Sequence, residues 1–152
     1  MVDFSAPNGG IDMKSIAAPN SDHRATYVRS KTGNWFLASE LAGQVGPEGI
    51  ISMVQNPGGT KTNLFRSETP FFRFITSPLL SHAGFGAYTL LWMGLSPEVT
   101  LEKNGGYVIP WGRIHSGPRQ DLLDALKSVD EGGTGQAGEF SQWCWEQTAK
   151  YK

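Results

Sequence analysis

The sequence predicts an α/β fold in which helices flank a parallel sheet. Three observations carry this. Residues from about Ala25 to Ala42 follow a helical period. Gly49-Ile-Ile-Ser-Met-Val-Gln55 is a short, nearly continuous apolar run that ends in a polar, glycine-rich turn, as a strand covered on both faces would. A second run, Gly106-Tyr-Val-Ile-Pro110, precedes another amphipathic stretch.

Taken in order, residues 1–24 contain Ala6-Pro7-Asn8-Gly9-Gly10 and Ala18-Pro19-Asn20-Ser21-Asp22. These are turn chemistries and predict an irregular arm. Asp22 is placed to cap the helix that follows. On that helix Tyr27, Lys31, Asn34, Trp35, Ala38 and Ala42 share one face, and Phe36, Leu37, Glu40 and Leu41 share another. Two apolar faces predict burial between a sheet and a second helix, with Gly43 and Gly46 ending the element. The turn Asn56-Pro57-Gly58-Gly59-Thr60-Lys61-Thr62 would lie beyond the carboxyl end of the first strand, where open α/β sheets bind ligands.

The longest apolar stretch, Pro70 to Leu95, is interrupted by Arg73, Pro78, His82 and several glycines. It reads as a buried or lid-forming segment, with a helix from about His82 to Leu95, and not as a membrane span. Beyond the second strand a short helix is expected near Arg119 to Val129. A flexible stretch from Glu131 to Gly138 leads to a terminal helix carrying Phe140, Trp143 and Trp145. Two strands are few for a self-sufficient sheet.

Thirteen Lys and Arg against fourteen Asp and Glu leave a formal charge of −1. That balance argues against a nucleic-acid binder and against a polybasic membrane anchor. The single cysteine, Cys144, excludes an intramolecular disulfide and a cysteine-built zinc site, so a reducing, cytoplasmic setting is expected. Met1-Val2-Asp3-Phe4-Ser5 lacks the basic and apolar regions of a signal peptide. His23, His82 and His115 have no common metal-ligand spacing, and no metal is expected. Cys144, between Trp143 and Trp145, reads as a small buried hydrophobe. Arg73 reads as a snorkelling or paired arginine, with an anionic substrate group as the alternative partner.

The chemistry concentrates at Tyr27 and Lys31. Side chains at i and i+4 on a helix share a face, so phenol and ammonium can converge. A free phenol exchanges protons poorly at neutral pH, and a nearby ammonium favours the phenolate. Such a pair becomes a usable general acid or base.

Tyr27-x-x-x-Lys31, a helix, a buried strand and then Asn56-Pro57-Gly58-x-x-x-Thr62 together resemble the second half of a short-chain dehydrogenase/reductase. The flavour is that of a fungal, retinol-dehydrogenase-like subgroup. Ala6-Pro7-Asn8-Gly9-Gly10-Ile11-Asp12 is similar to the loop between that family's catalytic serine and tyrosine. Tyr107-Val108-Ile109-Pro110-Trp111-Gly112-Arg113 and the tryptophan-rich end are similar to its late strand and final helix.

The resemblance implies a partial Rossmann-like fold, the C-terminal half of a doubly wound parallel sheet with flanking helices. Residues 1–152 would form one truncated domain: an arm over 1–24, a catalytic-half core over 25–130, and a glycine-rich linker with the terminal helix over 131–152. Tyr27 would exchange a proton with a substrate carbonyl or alcohol. Lys31 would support Tyr27 and hold the nicotinamide ribose hydroxyls. Thr60 and Thr62 would contact the nicotinamide carboxamide, by backbone and side chain respectively. The cofactor implied is NADP or NAD.

The chain contains no Gly-x-x-x-Gly-x-Gly segment after a strand to cradle a pyrophosphate. The family's carbonyl-polarising serine is expected just before Met1, and Ser5 and Ser15 are the nearest substitutes. Three readings follow: an oxidoreductase acting on a small apolar, secondary-metabolite-like carbonyl or alcohol; a non-redox isomerase, dehydratase or cyclase using the retained pair and a hydrophobic pocket under residues 70–95; or a pseudoenzyme or interaction module. Either a homodimer or a partner chain is expected.

Overall fold

A computed structural model describes residues 5–16, 22–63, 66 and 69–151. Parts of the expected arm, residues 1–4 and 17–21, lie outside the described residues. The elements in chain order are α1 (His23–Val45), β1 (Val54–Gln55), α2 (Pro70–Thr76), α3 (Ala83–Leu95), β2 (Tyr107–Ile109), β3 (Arg113–Ile114), α4 (Gln120–Leu126) and α5 (Gln136–Thr148). The strands form one sheet in the order β1-β2-β3, with β1 parallel to β2 and β2 antiparallel to β3. Val54 lies opposite Tyr107, and Val108 opposite Ile114. The architecture is a mixed α/β fold with a small sheet and flanking helices, as expected of a partial Rossmann-like unit.

Helix α1 begins at a side-chain cap, the Asp22 carboxylate accepting from the amides of Arg24 and Ala25 at 2.9 and 3.1 Å. It buries two faces. Trp35 stacks on Tyr107 of β2 with centroids 4.9 Å apart, and its indole Nε1 donates to the Gly105 carbonyl at 3.2 Å. Phe36, fully buried, meets Phe140 of α5 edge-on at 6.2 Å. Gly33 makes the close approach to α5 possible, because a Cβ there would stand 2.6 Å from Phe140 Cζ. Gly43 does not end the helix; it sits inside it facing open space, and Gly46 is the C-cap. Leu37 and Leu41, assigned by periodicity to the second buried face, are exposed.

The apolar run at 49–55 yields a shorter strand than expected. The Ile50 amide donates to the Val45 carbonyl, and the Ser52 amide donates to the Asn104 side chain at 2.7 Å. These partners take backbone groups that a longer ladder would use, so β1 holds only Val54–Gln55. Strand β3 was not expected. It returns from β2 through a tight turn in which Trp111 (φ 73) and Gly112 (φ 63) are both left-handed, the geometry that matches strand twist in a short hairpin. Gly112 is also required for space, since a Cβ would lie 2.7 Å from the Trp92 ring.

Residues 70–95 depart most from expectation. Thr69 caps α2 by accepting from the Phe72 amide, and Pro70 starts it. Helix α3 buries Gly86 and Thr89, whereas Phe71, Phe74, Ile75, Leu79, Leu90 and Leu95 are exposed. The large side chains of this segment are thus exposed more than buried, which leaves the lid-forming alternative of the expectation. Gly86 and Thr89 meet the body and Trp92 lies half-buried against Gly112, while Leu90, Leu91 and Leu95 face outward.

The arm loop, by contrast, is tied down. Ala6 and Ile11 are buried. Arg119 donates to the Ala6 carbonyl at 2.8 Å and to Asp121 Oδ1 at 3.0 Å, while the Gly9 amide donates to Asp121 Oδ2 at 2.7 Å. Two apolar clusters result. One joins Ile11, Phe36, Ala125, Ala137 and Phe140; the other joins Ala6, Trp35, Tyr107 and Leu122. No helix among the described residues is long and apolar enough to cross a membrane.

Candidate functional site

Tyr27 and Lys31 lie in the first turns of α1, on the flank between its buried faces and solvent. Val28 and Thr32, their chain neighbours, face inward: Val28 packs against the cluster of Trp35 and Tyr107, and Thr32 is fully buried. The pair converges as the spacing predicts, with Lys31 Nζ 5.4 Å from the Tyr27 ring centroid. Tyr27 is 45% exposed. Thr32 Oγ1 bonds the Val28 carbonyl at 3.0 Å and Ser30 Oγ the Tyr27 carbonyl at 2.7 Å. Both bonds stay within the helix and hold its first turns together.

The polar turn follows β1 directly, at the carboxyl end of a parallel strand. The Asn56 amide donates to the Val108 carbonyl at 2.7 Å, and the Asn56 side chain accepts from the Gly58 amide at 2.9 Å. Gly58 has φ +79, and a Cβ there would stand 3.0 Å from Pro110 Cγ. Both facts demand glycine and leave the backbone without a shielding side chain. Thr60 then bridges Ser81: the Lys61 amide donates to the Ser81 carbonyl at 2.8 Å, and the Ser81 amide to the Gly59 carbonyl at 2.9 Å. In such a ladder the backbone groups of Thr60 point the other way, which fits a backbone contact to a ligand. Thr62 is exposed at the end of the turn.

One body carries both pieces. Val28, beside Tyr27, and Val54, two residues before Asn56, pack on the same cluster. The turn's own bonds run to β2 and to residues 79–86, with Gly86 of α3 so close that a Cβ would meet Pro57 Cβ at 3.1 Å. A concave surface of about 460 Å³ opens next to it, lined by Lys61, Thr62, Arg66 and Arg73 with Phe74 and Leu80 as apolar walls.

Other candidates resolve differently. Ser5 is half-buried at the edge of the described residues, and the Ser15 side chain lies outside them. The Cys144 thiol is partly buried against the Phe36–Phe140 cluster, and burial pushes its pKa up, the opposite of an activated nucleophile. No group of His, Cys, Asp and Glu suited to a metal occurs among the described residues. His82 and His115 use Nδ1 to accept from the Gly84 and Gly117 amides at 3.2 and 3.1 Å, local capping roles.

Sequence reasoning passed over Gly133-x-Gly135-x-x-Gly138, which has dinucleotide-like spacing and opens α5. No strand leads into it. The amides of Gly133, Thr134 and Gly135 donate to the carbonyls of Ser128, Asp124 and Lys127. Those three donors are spent on the turn that leads into α5.

Lys31 and Tyr27 offer a cation and a phenol, and the Gly58 turn presents uncovered backbone beside Thr60 and Thr62.

No family model and no solved structure matches the chain. Curated relatives do. A short-chain dehydrogenase/reductase of Pestalotiopsis fici is 40% identical over 144 residues, covering 94% of this chain and 43% of that protein. One from Neocamarosporium betae is 39% identical over 125 residues, 82% of this chain and 36% of its own length. Another, from Phomopsis amygdali, is 36% identical over 160 residues, 99% of this chain and 46% of its own. The chain spans less than half the length of these relatives. It belongs to the short-chain dehydrogenase/reductase family, of which it represents part of the usual length.

Proposed function

We propose that this chain supplies the proton-transfer pair and the nicotinamide-side turn of an oxidoreductase acting on the carbonyl or alcohol of a small, largely apolar metabolite, with NADP or NAD. The carrying observation is the convergence of Lys31 on Tyr27 at 5.4 Å, on the same body as the Pro57-Gly58 turn. In the reducing direction the Tyr27 hydroxyl donates its proton to the carbonyl oxygen. In the oxidising direction the phenolate accepts the proton of the alcohol. Lys31 sets its positive charge beside the Tyr27 ring and orients ribose hydroxyls; Thr60 and Thr62 orient the carboxamide. The nicotinamide, when bound, supplies or receives the hydride.

The same reading has the chain working with a second copy or a partner chain. The edge position of β1 and the outward apolar side chains of α2 and α3 support this.

Titration of the chain with NADPH and NADH, followed by nicotinamide fluorescence, tests the reading. Saturable enhancement that falls in Lys31→Ala is the expected result, with a sedimentation coefficient above that of a monomer in the same samples. No enhancement at high micromolar protein would remove cofactor binding from this chain, and a monomer at that concentration would remove the association.

A further inference from the structure

We propose that the concave surface beside the Pro57-Gly58 turn binds the anionic group of a small amphipathic metabolite, a carboxylate attached to an apolar chain. As a statement about substrate it rests on the function proposed above; as a statement about binding it stands on its own.

Three cations, Lys61, Arg66 and Arg73, line this surface. The chain as a whole carries a formal charge of −1, so general basicity does not explain the concentration. The cations arrive from separate pieces of backbone. Lys61 is fixed by the bridge to Ser81, Arg66 follows a turn in which its amide donates to the Asn63 carbonyl at 3.1 Å, and Arg73 projects from α2.

Two of the three are arginines, whose planar fork matches a carboxylate. The volume of about 460 Å³ suits a small molecule. Phe74 and Leu80 supply apolar walls, and the exposed Phe71 and Ile75 of the same helix extend apolar surface beyond them. A ligand with an anionic head and an apolar body satisfies both features. Thr62 belongs to this surface and to the turn, so the bound molecule lies beside the nicotinamide-side residues. Arg73 thereby has a role beyond the snorkelling that its apolar neighbours suggest.

The test is calorimetric titration of the 152-residue chain with decanoate and with decanol, without cofactor. Decanoate should bind about tenfold tighter than decanol or better, and Lys61→Gln and Arg73→Gln should each weaken decanoate about fivefold while leaving decanol unchanged. Circular dichroism of the variants should match the parent, since both positions are exposed.

Equal binding of the two probes, or variants without effect, would overturn the proposal. Full displacement of decanoate by NADH would overturn it by assigning the cations to the dinucleotide phosphates. Binding only to phosphatidylserine vesicles would overturn it in favour of a membrane surface. Because the assay needs neither turnover nor cofactor, its failure leaves the Tyr27–Lys31 reading intact, and loss of that reading leaves this result standing.

Discussion

The two halves of this molecule solve opposite problems. Around α1, the 6–12 loop, α4 and α5 interlock through Ile11, Phe36, Leu122 and Phe140, all buried. Among the described residues from Asn56 to Gly105 none contributes to the buried members of either core cluster, and Phe71, Phe74, Ile75, Leu90 and Leu95 of α2 and α3 face outward. Tyr27 and Lys31 ride on the cored half, where neighbouring side chains lock their helix. The turn and the basic concavity sit where the cored body meets the bare segment. On the function proposed above, position and adaptability fall to different pieces of chain: proton transfer needs fixed geometry, and ligand uptake tolerates a weakly anchored wall.

This comparison is sharpened most by large-to-small substitution. Phe36→Ala, at a fully buried ring, should cost about 3–5 kcal/mol, whereas Leu95→Ala, at a side chain 78% exposed, should change stability by less than about 0.5 kcal/mol. Urea denaturation monitored by tryptophan fluorescence reads both. Comparable losses would mean that α3 is packed as tightly as α1.

A smaller effect tests the same contrast with one methyl group. Alanine in place of a helical glycine gains up to about 1 kcal/mol of helix propensity. At Gly94 of α3 nothing lies within 4 Å of the added Cβ, so Gly94→Ala should raise the denaturation midpoint. At Gly33 the Cβ would meet Phe140 Cζ at 2.6 Å inside the helix interface. Overpacking there, about 1–3 kcal/mol, should outweigh the gain and lower the midpoint. Effects of the same sign at both positions would break the contrast.

The smallest expected effect concerns the arm. The Arg119 guanidinium, followed by the Gly9 amide, lowers the Asp121 carboxyl from 3.8 to about 2. A carboxyl held low in the folded state stabilises it above roughly pH 4, and that stabilisation is lost as pH falls through about 2. The thermal midpoint should therefore drop more between pH 5 and pH 2 in the parent than in Asp121→Asn. Identical slopes would show that the clamp carries no pH-dependent stability.

Much of this was legible in the sequence, for reasons that differ by element. Helix α1 was readable because Asp22 caps it and its two inward faces repeat at helical spacing. The i, i+4 placement of Tyr27 and Lys31 then follows without further information. The turn after β1 was readable because Pro57 and Gly58 restrict its backbone. Helix α2 carried a start signal in Thr69-Pro70 that the phenylalanines obscured. The length of β1 was not legible, because Asn104, distant in sequence, takes the Ser52 amide. The β2–β3 hairpin was hidden by a tryptophan in a left-handed position that usually signals asparagine or glycine. Of the two alternatives for residues 70–95, burial did not hold, because hydrophobicity records what a side chain prefers, and not whether the fold supplies a surface to cover it. The convergence of Lys61, Arg66 and Arg73 needed the bridge between residues 60 and 81, a tertiary contact.

The central claim is that Tyr27 is the proton-transferring group. Its most direct test is Tyr27→Phe, assayed by NADPH-dependent reduction of an apolar carbonyl under conditions in which the parent chain, with its partner if one is needed, turns over. The account predicts a fall of about 10²–10⁴-fold in kcat with an unchanged denaturation midpoint, since the side chain is half exposed. Activity retained within a few-fold would contradict it.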